Sequence, residues 1–142
     1  MSSELLKRIQ KQGEMWAKSG MRFLDEDRLK SIVVMPRSEI DRLDIGVVKV
    51  DDKGQILLYN RYESVKAKVS PQEAEGKNFF TEVAPCTNNG IFKGSFSNGV
   101  QERNLDLIFP YTFTYKMKPT SVIIHLYRDN PSSSNWIFVN WK

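Results

Sequence analysis

The run NFFTEVAPCTNNGIFKGSF, residues 78–96, holds the chain's only cysteine, Cys86. Pro85 precedes it, a Thr-Asn-Asn-Gly turn follows it, and the paired aromatics Phe79 and Phe80 stand just upstream. A lone thiol in such a loop is either a buried packing residue or a point of covalent attachment. Free cysteine is among the most buried residue types and is usually inert, so the loop taken alone favours packing. The sequence on either side changes that balance.

Upstream, Ile45 to Val50 is rich in β-branched residues, Asp51-Asp52-Lys53-Gly54 is a turn, and Gln55 to Asn60 is a second strand. Together they predict a β-hairpin. Arg61 to Val69 is polar and lacks strand alternation. Ser70-Pro71-Gln72-Glu73 predicts a helix start, with Ser70 as cap, Pro71 at the first helical position and Glu73 able to close a capping box. Gly76 ends that short helix. Downstream, Ile91, Phe92, Phe96 and Val100 have helical spacing, which predicts a helix to about Arg103. Tyr111, Phe113, Tyr115 and Met117 alternate with Thr112, Thr114 and Lys116, so Leu105 to Met117 reads as a strand with one bulky face. Ser121 to Arg128 and Asn135 to Trp141 read as two more. The expected class is α+β: an antiparallel sheet of about five strands with its helices on one side.

Residues 1–43 form a distinct lead-in, and 44–142 the main domain. Leu5, Leu6 and Ile9 fit one helical face. Gly13 and Gly20 interrupt the pattern, and Pro36 should stop any helix running through Ile32-Val33-Val34-Met35. The segment is either a helical cap over the core or a detachable signalling element; composition favours the cap.

The bulk properties exclude several function classes. The 142 residues suffice for one domain with a real core. The formal charge of +4 is mild and its lysines and arginines are interleaved with acids, so no nucleic-acid surface is expected. One cysteine rules out an internal disulfide, and no Cys/His cluster suggests zinc. No apolar run is long enough for a signal peptide or a membrane span, so a cytoplasmic protein is expected. His125, the only histidine, has no ligand partner at metal spacing and reads as structural. A hydrolytic Cys86–His125 pair would need an orienting third group and an oxyanion hole, which the sequence does not suggest, so an enzyme is not expected. Trp16, Trp136 and Trp141 read as packing residues.

The order of elements resembles a PAS domain, and the residues resemble one family more closely. GQILLYN, EGKNFFTEVAPCTNN and FPYTFTYKMKPTSVIIH are similar to the corresponding stretches of the photoactive yellow proteins, bacterial blue-light receptors. The resemblance covers about residues 44–142 without a gap between Tyr59 and Met117, and NFFxxVAPC is its most specific part. It implies a p-coumaroyl (4-hydroxycinnamate) chromophore joined as a thioester to Cys86. It also implies that Tyr59 and Glu63, in the order YNRYE, hold the phenolate, and that Met117 assists thermal recovery. Val83, Ala84 and Pro85 of the motif, with Phe79, Phe113 and Tyr115, would line the pocket. Two positions depart. The family's usual threonine and arginine are Ala67 and Val69 here, which bears on the absorption maximum and on closure of the pocket mouth.

The implied chemistry has physical reasons. A thioester carbonyl conjugates with a cinnamoyl double bond. A buried phenolate would neutralise itself unless donors hold it, and bonds to an ionised acceptor are strong. Tyr59 donates at neutral pH; Glu63 donates only if burial lifts its pKa by about 3 units. The resemblance then implies trans–cis photoisomerisation, proton transfer from Glu63 to the phenolate, and partial unfolding of the N-terminal segment as the signal. The implied partner is a separate downstream signalling protein; a monomer or weak dimer is expected, with no nucleic acid or membrane. The alternative is a light-independent PAS module that binds another ligand or a protein partner.

Overall fold

The computed structural model describes residues 21–114 and 118–141. Leu5, Leu6, Ile9, Trp16, Tyr115 and Met117, for which the sequence raised expectations, lie outside the described residues.

Five strands form one antiparallel sheet in the order β2-β1-β5-β4-β3. β1 (Gly46–Val50) and β2 (Ile56–Tyr59) are the expected hairpin. Its turn is held by the Asp51 carboxylate, which accepts from the amides of Lys53 and Gln55, each at 2.9 Å. Gly54 is required there. Its φ is +93°, and a Cβ would lie 2.7 Å from the ring of Phe80. β3 (Asp106–Phe113), β4 (Thr120–Asp129) and β5 (Ser134–Asn140) complete the sheet, with β5 between β1 and β4.

Strand alternation sends two rows of side chains to opposite faces. Val48, Leu107, Phe109, Phe113, Ile124, Ile137 and Val139 belong to one core, together with Phe79, Phe80, Phe92 and Phe96 from the segments that cover it. Val47, Trp136 and Phe138 point to the other face. That second face is covered by the lead-in: α1 (Glu26–Val33) and α2 (Arg37–Ile40) lay Leu29, Ile32 and Ile40 against it. Asp25 caps α1 by accepting from the Arg28 amide at 2.8 Å. The later helices all lie on the first face, so the sheet is a wall between the lead-in and the cavity described below.

One helix departs from the sequence reading. Arg61–Ala67, read only as polar chain, is helix α3. Hydrophobic patterning misses it because the residue it buries is Glu63, a carboxyl. α4 (Pro71–Ala74) starts at Ser70 as expected, and Ser70 Oγ accepts from the Glu73 amide at 3.1 Å. The Glu73 side chain, however, accepts from the Ser70 hydroxyl rather than reaching the Ser70 amide. α5 is Phe92–Glu102.

Candidate functional site

The loop with the single thiol is not irregular chain. Phe79–Val83 is one turn of π-helix and Pro85–Thr87 one turn of 3₁₀-helix. Asn78 fastens the start: its side-chain oxygen accepts from the amides of Phe80 and Thr81, and its amide nitrogen donates to the Lys53 carbonyl in the hairpin turn. The end is fastened at Cys86 itself. Its carbonyl accepts from the Tyr111 hydroxyl at 2.5 Å and from Asn89 Nδ2 at 3.2 Å. Asn89 also accepts from the Phe92 amide at 2.8 Å, which ties the loop to the start of α5. The sulfur is free and half-buried against the first core.

A mostly apolar cavity of about 70 Å³ opens beside that sulfur. Cys86, Tyr59, Glu63, Ala67, Val69, Phe79, Val83, Ala84 and Phe113 all line it. Pro85 does not: it starts the 3₁₀-turn and turns Cys86 toward the cavity while staying outside the lining. Lys68 and Trp141 line it too, and the sequence reading missed both. Lys68 closes α3 in the left-handed region (φ 60°) between the two departing positions.

Tyr59 and Glu63 are both buried. Asn60 explains how they come together. It leaves β2 directly after Tyr59 and caps α3, accepting from the Glu63 amide at 3.1 Å. Glu63 therefore sits at the third position of the helix, over the end of the sheet. Its Oε1 accepts from the Trp141 indole N–H at 2.7 Å. Among the described residues, neither Glu63 Oε2 nor the Tyr59 hydroxyl has a hydrogen-bond partner, and both residues line the cavity. Burial raises the Glu63 pKa to about 8, against the opposing pull of the indole N–H. Burial, and then the neighbouring Glu63, also raise the pKa of Tyr59. Both groups are therefore protonated at neutral pH, and both side chains line one apolar space.

Room for the carboxyl is made by Gly46. This residue pairs with Val139 and stands on the sheet row that faces the first core. A Cβ there would lie 2.0 Å from Glu63 Oε1 and 3.1 Å from the Val139 Cβ. Gly46→Ala is expected to lower stability by about 1–3 kcal/mol, because the carboxyl must shift. In a Glu63→Ala background the cost should largely vanish, a coupling that a double-mutant cycle of urea unfolding measures.

The hydrolytic alternative fails on placement. His125 lies on the opposite face of the sheet from Cys86, packed against Phe23 and Phe138, with Nε2 2.6 Å from Asp106 Oδ1. Burial lowers its pKa, against the pull of Asp106.

No protein-family model matches the chain. The photoactive yellow protein of Rhodothalassium salexigens is 40% identical over 119 residues, which span 84% of this chain and 95% of that protein. The one from Halochromatium salexigens is 38% identical over 117 residues, 82% of this chain and 94% of the relative. The chain belongs to the photoactive yellow protein family. Among solved structures, the photoactive yellow protein domain of the sensor histidine kinase Ppr from Rhodospirillum centenum superposes with a TM-score of 0.74 at 40% identity, covering 78% of this chain and 97% of that domain. A domain of a sensory box histidine kinase/response regulator from Geobacter sulfurreducens, 13% identical with a TM-score of 0.61, shares the fold alone. The photoactive yellow proteins are photoreceptors, not enzymes, and their PAS fold is the one seen here. Among the described residues no helix is long and apolar enough to cross a membrane, and no group of side chains could hold a metal ion.

Proposed function

We propose that this chain is a blue-light receptor that carries a p-coumaroyl group as a thioester on Cys86. The observation that carries this reading is that one apolar cavity is lined jointly by the free sulfur of Cys86 and by two buried protonated donors, Tyr59 and Glu63. A p-coumaroyl group supplies a visible chromophore, a phenolate and a double bond that light isomerises. The donor set suits a buried oxyanion: two hydroxyl hydrogens with no protein partner would otherwise each cost desolvation energy.

The chain's own residues then do the following. Tyr59 and Glu63 hold the oxyanion in the dark and let it remain charged away from water. Once light has turned the pigment, Glu63 gives up its proton and becomes a buried carboxylate. Such a charge costs several kcal/mol, a large part of a domain's total stability. Asn60 couples that change to the lead-in, since the side chain that accepts from the Glu63 amide also donates to the Ile40 carbonyl at 3.1 Å. Residues 1–43 loosen as the signal, and a separate downstream signalling protein reads it. Ala67 and Val69 line the cavity without polar groups, so the oxyanion depends on Tyr59 and Glu63 more heavily than where a threonine hydroxyl supports the tyrosine.

Expression together with a supply of activated p-coumarate tests the reading. The expected product is yellow, bleaches in blue light and recovers in the dark. Mass spectrometry should show one added acyl group, absent from Cys86→Ala. A colourless protein of unchanged mass overturns the reading and leaves a light-independent PAS binding module.

A further inference from the structure

We propose that Trp141 is a positioning residue for Glu63: its indole N–H fixes the carboxyl so that the proton sits on the oxygen facing the cavity, and it holds the carboxylate when that proton leaves. The pairing stands on geometry. Trp141 follows β5 in the same sheet row as Ile137 and Val139, and its ring packs on Phe113 at 5.4 Å with a 45° tilt. That packing fixes the ring plane, and the N–H reaches Glu63 Oε1 at 2.7 Å. An indole N–H can only donate. The carbonyl oxygen is the stronger acceptor of a neutral carboxyl, so the oxygen that meets the indole takes that role and the proton goes to Oε2, which has no partner among the described residues and belongs to a side chain lining the cavity.

The same bond acts differently on the two protonation states. A donor at 2.7 Å binds a carboxylate more strongly than a neutral carboxyl, so it opposes the rise caused by burial. The other titratable groups lining the cavity with Glu63 are Tyr59 from β2, Lys68 at the end of α3 and Cys86 in the 3₁₀-turn; β1 contributes only Gly46 beside the carboxyl. Among the described residues none of these side chains donates a hydrogen bond to the carboxyl, and Trp141 does. When Glu63 acts as a donor, its O–H bond breaks, an O–H bond forms on the phenolate, and the charge moves to the carboxylate beside the indole. No electron is gained or lost. The destination of the proton rests on the photoreceptor reading above; the Trp141–Glu63 pairing does not.

The test uses the full chain without pigment. Carboxyl-labelled glutamate and indole-nitrogen NMR are followed as pH is raised through the Glu63 transition. In the wild type, the Trp141 indole resonance should move with the Glu63 carboxyl, and it should stop moving in Glu63→Gln. Trp141→Phe keeps a ring against Phe113 and removes the N–H. It should raise the apparent pKa of Glu63 by about one unit and move the protonated carboxyl stretch to higher frequency. In pigment-loaded protein the same variant should shift the proton about tenfold back toward Glu63 after light. An unmoved Glu63 titration and stretch in Trp141→Phe overturn the inference, even if the pigment attaches normally. If the titration moves and no pigment attaches, the pairing stands and the photoreceptor reading falls.

Discussion

The stability that Glu63 gives the pigment-free chain, read as wild type minus Glu63→Gln, is expected to fall by about 4 kcal/mol as pH rises from 4.5 to 8. The sign follows from proton counting. Burial raises the Glu63 pKa from 4.5 to about 8, so between these values the folded chain holds a proton that the unfolded chain has released. The stabilising difference is fully present below 4.5 and is lost as pH climbs through 8. Most acidic side chains of a folded protein act in the opposite sense. His125 also runs the other way: burial lowers its pKa from 6.5, so its contribution is present at higher pH and is lost on acidification. A single profile would mix the two. The difference between the wild type and Glu63→Gln isolates the carboxyl, because the amide keeps the acceptor that Trp141 uses and cannot ionise. Urea midpoints measured for both chains at a series of pH values give the result. Parallel profiles would mean that Glu63 is not a buried neutral acid.

This reversed pH dependence marks the place where sequence reasoning met its limit. The strands were legible because half-buried sheets require alternation, and Phe109, Tyr111 and Phe113 keep it. The start of α4 was legible because Ser70 and Pro71 act through local bonds. The Cys86 loop was legible only as a motif. Nothing in the residue order predicts a π-turn, whose bonds depend on Asn78 reaching back to the hairpin. α3 was missed because its buried residue is ionisable, and a hydrophobic pattern cannot register a carboxyl facing inward. Gly46 and Trp141 were missed for a related reason. Each acts on Glu63 across a sheet register that pairs Gly46 with Val139 and puts Trp141 two residues further on. The lead-in was expected as a cap; which face of the sheet it covers follows from Trp136 and Phe138, stacked at 5.9 Å, pointing away from the cavity.

Asn60→Ala is expected to lower stability by about 3–5 kcal/mol, the largest effect of any single substitution outside the apolar cores. Four bonds meet at this fully buried side chain. Its oxygen accepts from the amides of Val47 at 2.9 Å and Glu63 at 3.1 Å. Its nitrogen donates to the carbonyls of Ile40 at 3.1 Å and Ile45 at 3.0 Å. Alanine removes the cap of α3, which alone costs about 1 kcal/mol, and strands backbone groups that water reaches poorly. Asn60→Asp separates the two halves. A carboxylate keeps both acceptor bonds, so α3 stays capped, but it turns an oxygen toward the Ile40 and Ile45 carbonyls and repels them. Hydrogen exchange then reads the division. In Asn60→Asp, protection should fall in the segment ending α2 while α3 keeps its own; in Asn60→Ala both should fall. If α2 keeps its protection in Asn60→Asp, the lead-in is held by the apolar packing of Leu29, Ile32 and Ile40 on Phe138, and the strain of a charged Glu63 would have to reach it through the sheet instead.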